Sequence, residues 1–481
     1  MTLRSVPIVS SLVLFACLAS AVPANNSRLL LQPCHVDNVQ GEAKCGKYEV
    51  YENRAAQKGR KISLNIVVVP STSTKPASDP LFVLAGGPGQ GAAGYAEGAG
   101  FGFLAKTRGE RDLVFIDQRG TGNSNGLNCD LADDPADLQS FFGEIYPLEK
   151  LRQCRKKLEQ IADLTQYTTP IAMDDLDEVR AALGYDKINL DGGSYGTFAA
   201  QIYLRQHPEH VRAVLLEGVA SVGSKLPLFF AKGAQHALDR LFEDCAADAA
   251  CHKAFPNFQK EFASVLERFD HGPITVELTN PSTGQKQSVT ILRGNFVERL
   301  RLMLYTPQGA NQIPALTHKA FENNYVPFAT AAIRNNVGNS LARGMYFTIT
   351  CSEYVPFITE QEILQETKGT FLGEYRVRAH IQACKEWPRA KIEPSYLNPV
   401  KSDLPVLMLS GDIDAATPYW LGESAVKYLP NGRQVLIRNA GHAFGNSCLQ
   451  NIAAEFIEKG SAQKTDTTCI KDIQRPPFRT E

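Results

Sequence analysis

The 481-residue chain lacks any excess of charge. It has 50 Lys and Arg against 51 Asp and Glu, a formal net charge of −1. That balance provides no field to hold nucleic acid or an anionic bilayer. Internal repeats and long low-complexity tracts are absent. At 43% hydrophobic and 21% charged residues, a disordered, collagenous or coiled-coil protein is excluded. Beyond residue 21 no apolar run is long enough to span a bilayer, so no integral membrane domain is expected. No C-x-x-C occurs, which removes support for a zinc ribbon or a thioredoxin-type site. The lack of G-x-x-x-x-G-K-[ST] excludes a P-loop, and the lack of H-E-x-x-H leaves a zincin unsupported. No metal and no organic cofactor are implied.

What is present begins with an export signature. Arg4 precedes an uncharged apolar run from Val6 to Ala21 that ends in Ala19-Ser20-Ala21, an A-x-A cleavage site. Residues 1–21 therefore read as a signal peptide and the chain as periplasmic or secreted. Pro7, Ser10 and Ser11 interrupt the run and argue against an uncleaved anchor. Leu14-Phe15-Ala16-Cys17 loosely fits a lipoprotein box with Cys17 lipidated, although Phe15 fits it poorly. Of 11 cysteines, ten remain outside the signal, an even number that suits an oxidising compartment. They fall as near neighbours: Cys34 and Cys45, Cys129 and Cys154, Cys245 and Cys251, Cys351 and Cys384, Cys448 and Cys469. Pairing in chain order would close short loops; other connectivities stay open.

From about residue 61 the pattern is strand, Gly-rich turn, helix, repeated. The β-branched run at 62–69 reads as a strand, and the apolar runs at 81–84, 113–116, 188–190 and 211–216 end in Gly- or Asp-bearing turns. Continuous apolar runs alternating with helices predict a mostly parallel sheet covered on both faces. Between about 220 and 395 helical periodicity takes over: Phe262, Val265, Leu266 and Phe269 follow the i, i+3, i+4, i+7 rule. Strand pattern returns at 405–409 and 434–437. The simplest organisation is an α/β core in two parts, 22–219 and 396–481, interrupted by a mainly helical insertion at 220–395.

The strongest local signal is Gly192-Gly193-Ser194-Tyr195-Gly196, a G-x-S-x-G between a strand and a helical stretch. A nucleophile elbow needs this sharp turn with small flanking residues, and it exposes the Ser194 hydroxyl at the edge of the sheet. A serine needs a base oriented by an acid, and this fold orders them Ser, Asp or Glu, His along the chain. The strand at 405–409 leads into Gly411-Asp412-Ile413-Asp414, and the strand at 434–437 leads into Gly441-His442. His442 is the expected base and Asp414 the expected acid; Asp412, directly after the strand, is the alternative and reads as a turn cap. Two backbone donors should hold the oxyanion: the N–H of Tyr195, after the nucleophile, and that of Gly87 in Gly86-Gly87-Pro88-Gly89. A rival reading takes Gly89-Gln90-Gly91-Ala92-Ala93-Gly94 as the G-x-G-x-x-G of a dinucleotide site, an awkward match for an exported chain.

These residues carry a resemblance. The sequence resembles the α/β-hydrolase-fold serine peptidases of the proline iminopeptidase and tripeptidyl aminopeptidase group. It does so in Gly86-Gly87-Pro88-Gly89, in Asp117-Gln118-Arg119-Gly120-Thr121-Gly122-Asn123-Ser124, in the elbow, and in the acid and base loops. The resemblance spans about residues 60 to 460. Ala85 stands where proline iminopeptidases usually carry His, which leans toward the tripeptidyl branch. It implies an α/β-hydrolase core, a helical cap over residues 220–395, and a peptide substrate. An aminopeptidase must hold a free α-ammonium, for which Glu353 and Glu217 are the candidate carboxylates. The expected function is an exported aminopeptidase working through an acyl-enzyme. An esterase on the same triad, or a non-catalytic binding protein on the scaffold, are the alternatives. The sequence leaves the oligomeric state open.

Overall fold

The computed structural model describes residues 29–131, 133–334, 341–442 and 445–481. The expected signal peptide, with Cys17, lies outside the described residues. A nine-stranded sheet carries the fold, in the order β1-β2-β3-β5-β4-β6-β7-β10-β11. Its strands are β1 (Gln32–Cys34), β2 (Ala43–Tyr51), β3 (Lys61–Val69), β4 (Leu81–Leu84), β5 (Leu113–Ile116), β6 (Ile188–Gly193), β7 (Val211–Glu217), β10 (Val406–Gly411) and β11 (Gly432–Ile437). Pairing is antiparallel from β1 through β3 to β5 and parallel from β5 across to β11. Every residue of β4 and β5 is buried, as strands sandwiched between two helical layers must be. The pleat sends alternate residues to opposite faces. Leu216 joins the layer of helices Thr169–Leu183 and Tyr195–Gln206, while Leu215 joins that of Gly102–Arg108 and Ser447–Lys459.

The fold class agrees with the sequence reading, with one addition. The sheet begins upstream of residue 61, with β1 and β2. Lys44, Lys47 and Glu49 interrupt β2, so its apolar signal is weak. It lies near the end of the sheet, with only the short β1 beyond it, and tolerates such exposed charges.

After β7 the chain leaves the sheet until β10. This insertion is helical apart from a hairpin of β8 (Ile274–Thr279) and β9 (Lys286–Ile291). Phe262, Phe269, Phe296 and Phe328 build it a core of its own. Packing crosses the expected boundaries in two places. Leu138, Phe141 and Phe142, from the N-terminal part, pack into this second core, and Gln139 hydrogen-bonds both backbone groups of Thr290. Conversely the helix Arg343–Glu353 sends Met345, Phe347 and Ile349 into the core beside the sheet. All ten cysteines of the described chain pair in chain order: Cys34–Cys45, Cys129–Cys154, Cys245–Cys251, Cys351–Cys384 and Cys448–Cys469. Among the described residues no helix is long and apolar enough to cross a membrane.

Candidate active site

The turn from β6 into the helix Tyr195–Gln206 holds Ser194 at φ 55° and ψ −121°, a strained conformation that L-residues rarely adopt. Two glycines make it possible. A Cβ on Gly192 would strike the Gly196 carbonyl, and one on Gly196 would strike that of Leu84. Neighbouring backbone then locks the turn. Ser194 N–H donates to the Glu217 carbonyl at 2.9 Å, and Thr197 donates from both N–H and hydroxyl to the Ser194 carbonyl.

β10 delivers the acid. Asp414 is buried, and its Oδ1 accepts the N–H groups of Ala416 and Thr417 at 2.7 and 2.8 Å. Its Oδ2 accepts the Thr417 hydroxyl at 2.7 Å and faces Nδ1 of His442 at 2.9 Å. Thr417 Oγ1 is also 3.1 Å from that ring nitrogen. Asp412 points elsewhere: its Oδ1 accepts Asn439 N–H at 2.8 Å, which ties the two loops together as a turn cap would.

His442 follows β11. Its N–H donates to the Tyr305 carbonyl at 2.7 Å, and its ring lies edge-on to that tyrosine with centroids 5.3 Å apart. Gly218, at φ 64°, leaves room for the imidazole; a Cβ there would sit about 3.2 Å from it. Ser194 and His442 line one cavity of about 610 Å³, together with Gly87. Among the described residues no hydrogen bond joins the serine to the imidazole, a separation familiar in unliganded hydrolases, whose contacts tighten around substrate.

The glycine loop follows β4. Gly87 and Gly89 sit at φ 111° and 109°. Leu341 presses on Gly87, and Ala342 N–H donates to the Gly89 carbonyl at 2.9 Å. Tyr195 opens its helix, with its ring buried and its hydroxyl 2.7 Å from Thr169 Oγ1. Asp117 pins the flanking loops by accepting from Asn65, Ala93 and Asn123. Arg119 is fully buried against Asp175. Both are structural.

Neither carboxylate expected to bind substrate lines the cavity. Glu353 is completely buried, and it accepts Thr169 N–H and the Tyr396 hydroxyl, each at 2.6 Å. The helix that carries it meets the cavity through Arg343 and Tyr346, but Glu353, at its C-terminal end, is not among the lining residues; burial pushes its pKa up to about 7. Glu217, at the end of β7, lies near Asp191 of β6, and burial with that neighbouring charge raises it to about 8. The buried carboxylate that does line the cavity is Glu298, in the helix Arg293–Met303. It is buried and chelated by Arg301 at 2.6 and 3.0 Å. Arg376 adds a third bond at 2.9 Å. Among the described residues two groupings have metal-ligand proximity. Cys351 and Cys384 beside His380 are closed as a disulfide, and Asp177 beside His207 and His210 is occupied by the Arg180 guanidinium.

Comparison with known proteins agrees with this architecture. Residues 79–330 match the family model described as alpha/beta hydrolase fold, and residues 369–469 match that of TAP-like protein. The serine protease Hip1 of Mycobacterium tuberculosis is 25% identical over 482 residues, spanning 91% of this chain and 90% of its own. The tripeptidyl aminopeptidase of Streptomyces coelicolor is 21% identical over 477 residues, 91% of this chain and 85% of its own. A proline iminopeptidase of Xylella fastidiosa shares 34% identity over 76 residues, 16% of this chain. With over half its length matched by one family model, and with a strained serine turn and a paired His and Asp in loops after successive parallel strands, the chain belongs to the alpha/beta hydrolase fold family.

Proposed function

We propose that the protein is an exported serine peptidase that removes short peptides or single residues from the N-terminus of its substrates. The observation that carries this is the 2.9 Å contact between His442 Nδ1 and Asp414, on an imidazole that shares a cavity with Ser194. Ser194 Oγ attacks the scissile carbonyl as His442 Nε2 takes its proton. Asp414 fixes the ring and stabilises the imidazolium. The N–H groups of Tyr195 and Gly87 receive the negative oxygen; losing one such donor typically costs about 10²–10³ in rate. The imidazolium protonates the leaving amine, the acyl-enzyme forms, and a water activated by His442 releases it. The names of the two long relatives support the peptidase reading, and five disulfides support an oxidising compartment.

Fluorophosphonate labelling tests the nucleophile: wild type reacts and Ser194→Ala does not. Undiminished labelling of the variant would place the nucleophile elsewhere. A peptide library with free and blocked N-termini then tests the aminopeptidase claim, which fails if blocked peptides are cleaved equally well.

A further inference from the structure

The inner wall of the cavity has more positive than negative charge, and the surplus lies against the reacting groups. Arg301, Arg376 and Arg343 all line it. Against these three guanidiniums stands one buried carboxylate, Glu298. Asp137 and Glu144, the exposed acids at the edge of the opening, lie in water, and Asp133 already pairs with Arg299 at 2.9 Å. Arg301 donates to both oxygens of Glu298, and Arg376 donates only one further bond, to the Oε1 that Arg301 already shares. Arg376 Nη2 donates to the neutral Tyr346 hydroxyl at 3.1 Å, and its Nε is buried with no partner among the described residues. Arg343 makes no hydrogen bond or ion pair among the described residues, although it is only partly exposed.

Both ends of this arrangement are fixed close to the chemistry. Arg301 Nη1 donates to the Tyr305 hydroxyl at 2.9 Å, and Tyr305 is the residue that holds His442. Arg343 directly follows Leu341 and Ala342, which touch Gly87 and Gly89 of the oxyanion loop. Aromatic faces hold two of the cations in place: Arg301 lies 4.5 Å from the Phe230 centroid, and Arg376 5.2 Å from that of Tyr146. Cations kept partly dehydrated without counter-charge are costly unless an anion arrives, and a guanidinium fork matches a carboxylate best.

We infer that this wall is a carboxylate-binding subsite, so that the preferred peptide bears a negative charge within a residue or two of the scissile bond. The inference rests on the peptidase reading of the same site. The carboxylate has two chemical sources: an Asp or Glu side chain, or the free C-terminus of a very short peptide.

Calorimetry on Ser194→Ala separates this from catalysis. Tri- and tetrapeptides are compared in matched pairs, Glu against Gln and C-terminal acid against C-terminal amide. The acid member of at least one pair should bind about tenfold tighter or more, the size expected of a charge-assisted contact. The pair that shows the gap identifies the source. In Ser194→Ala with Arg343→Gln, checked for folding by its melting temperature, the gap should shrink; Arg343→Lys should restore part of it. Equal binding of acid and amide in both pairs, or no binding by either, overturns the inference. Labelling of wild-type Ser194 by the fluorophosphonate would leave the hydrolase reading standing in that case. Its absence would sink that reading whatever the calorimetry shows.

Discussion

Asp414 has every oxygen lone pair it can spare committed: two to backbone N–H groups, one to Thr417, one to the imidazole. In the proposed mechanism such a carboxylate orients the ring. Asp414→Asn should leave the fold intact and lower kcat by about 10⁴, because an amide NH₂ cannot accept the ring's N–H and selects the wrong tautomer. Thr417→Val removes one charge-assisted hydrogen bond from the same oxygen and should lower kcat about tenfold with little change in KM, as steady-state kinetics would show. Glu353 is expected to act on stability instead. Burial raises its pKa from 4.5 to about 7, so the folded state holds its proton more tightly than the unfolded chain does. Its contribution is complete below about pH 4.5 and is lost as pH rises to about 7, at up to about 1.4 kcal/mol per pH unit. Glu353→Gln keeps the shape and both hydrogen-bond partners. The difference in melting temperature between wild type and this variant should therefore drift in the variant's favour over that interval; a flat difference would contradict the assignment.

At the scale of elements, the elbow tolerates no side chain on either flank. Gly196→Ala should abolish fluorophosphonate labelling and lower the melting temperature, because the added methyl meets the Leu84 carbonyl, a backbone atom that cannot swing aside. The helices Arg343–Glu353 and Tyr375–Lys385 are bolted together by Cys351–Cys384, which closes a 33-residue separation. Replacing both by serine should cost about 3–4 kcal/mol in a chemical denaturation curve. The parallel strands were legible because buried strands are written as unbroken apolar runs. Ser194, Asp414 and His442 were legible because each stands in the loop after such a run. β2 was not legible, since Lys44, Lys47 and Glu49 dilute its signal. Nor could the sequence say which cap acid meets the cavity. Glu298 and Arg301 sit three apart on one helix, a spacing that foretells an ion pair, but the cavity they line is built from residues far apart in the chain, Gly87 and His442 among them.

For the molecule as a whole, the disulfides are local and uncrossed, each closing its own stretch of chain. Non-reducing peptide mapping should return the five sequential pairs and no others; a crossed pair would revise the fold of the segment it joins. The insertion is less separable than its position in the chain suggests. It supplies the carbonyl that anchors His442 and the residues that press on Gly87 and Gly89. A shortened protein made by splicing β7 to β10 would therefore be more than an uncovered enzyme open to bulkier substrates. His442, the proposed general base, would have lost a tether, and the pocket's roof would have taken part of the proposed machinery with it.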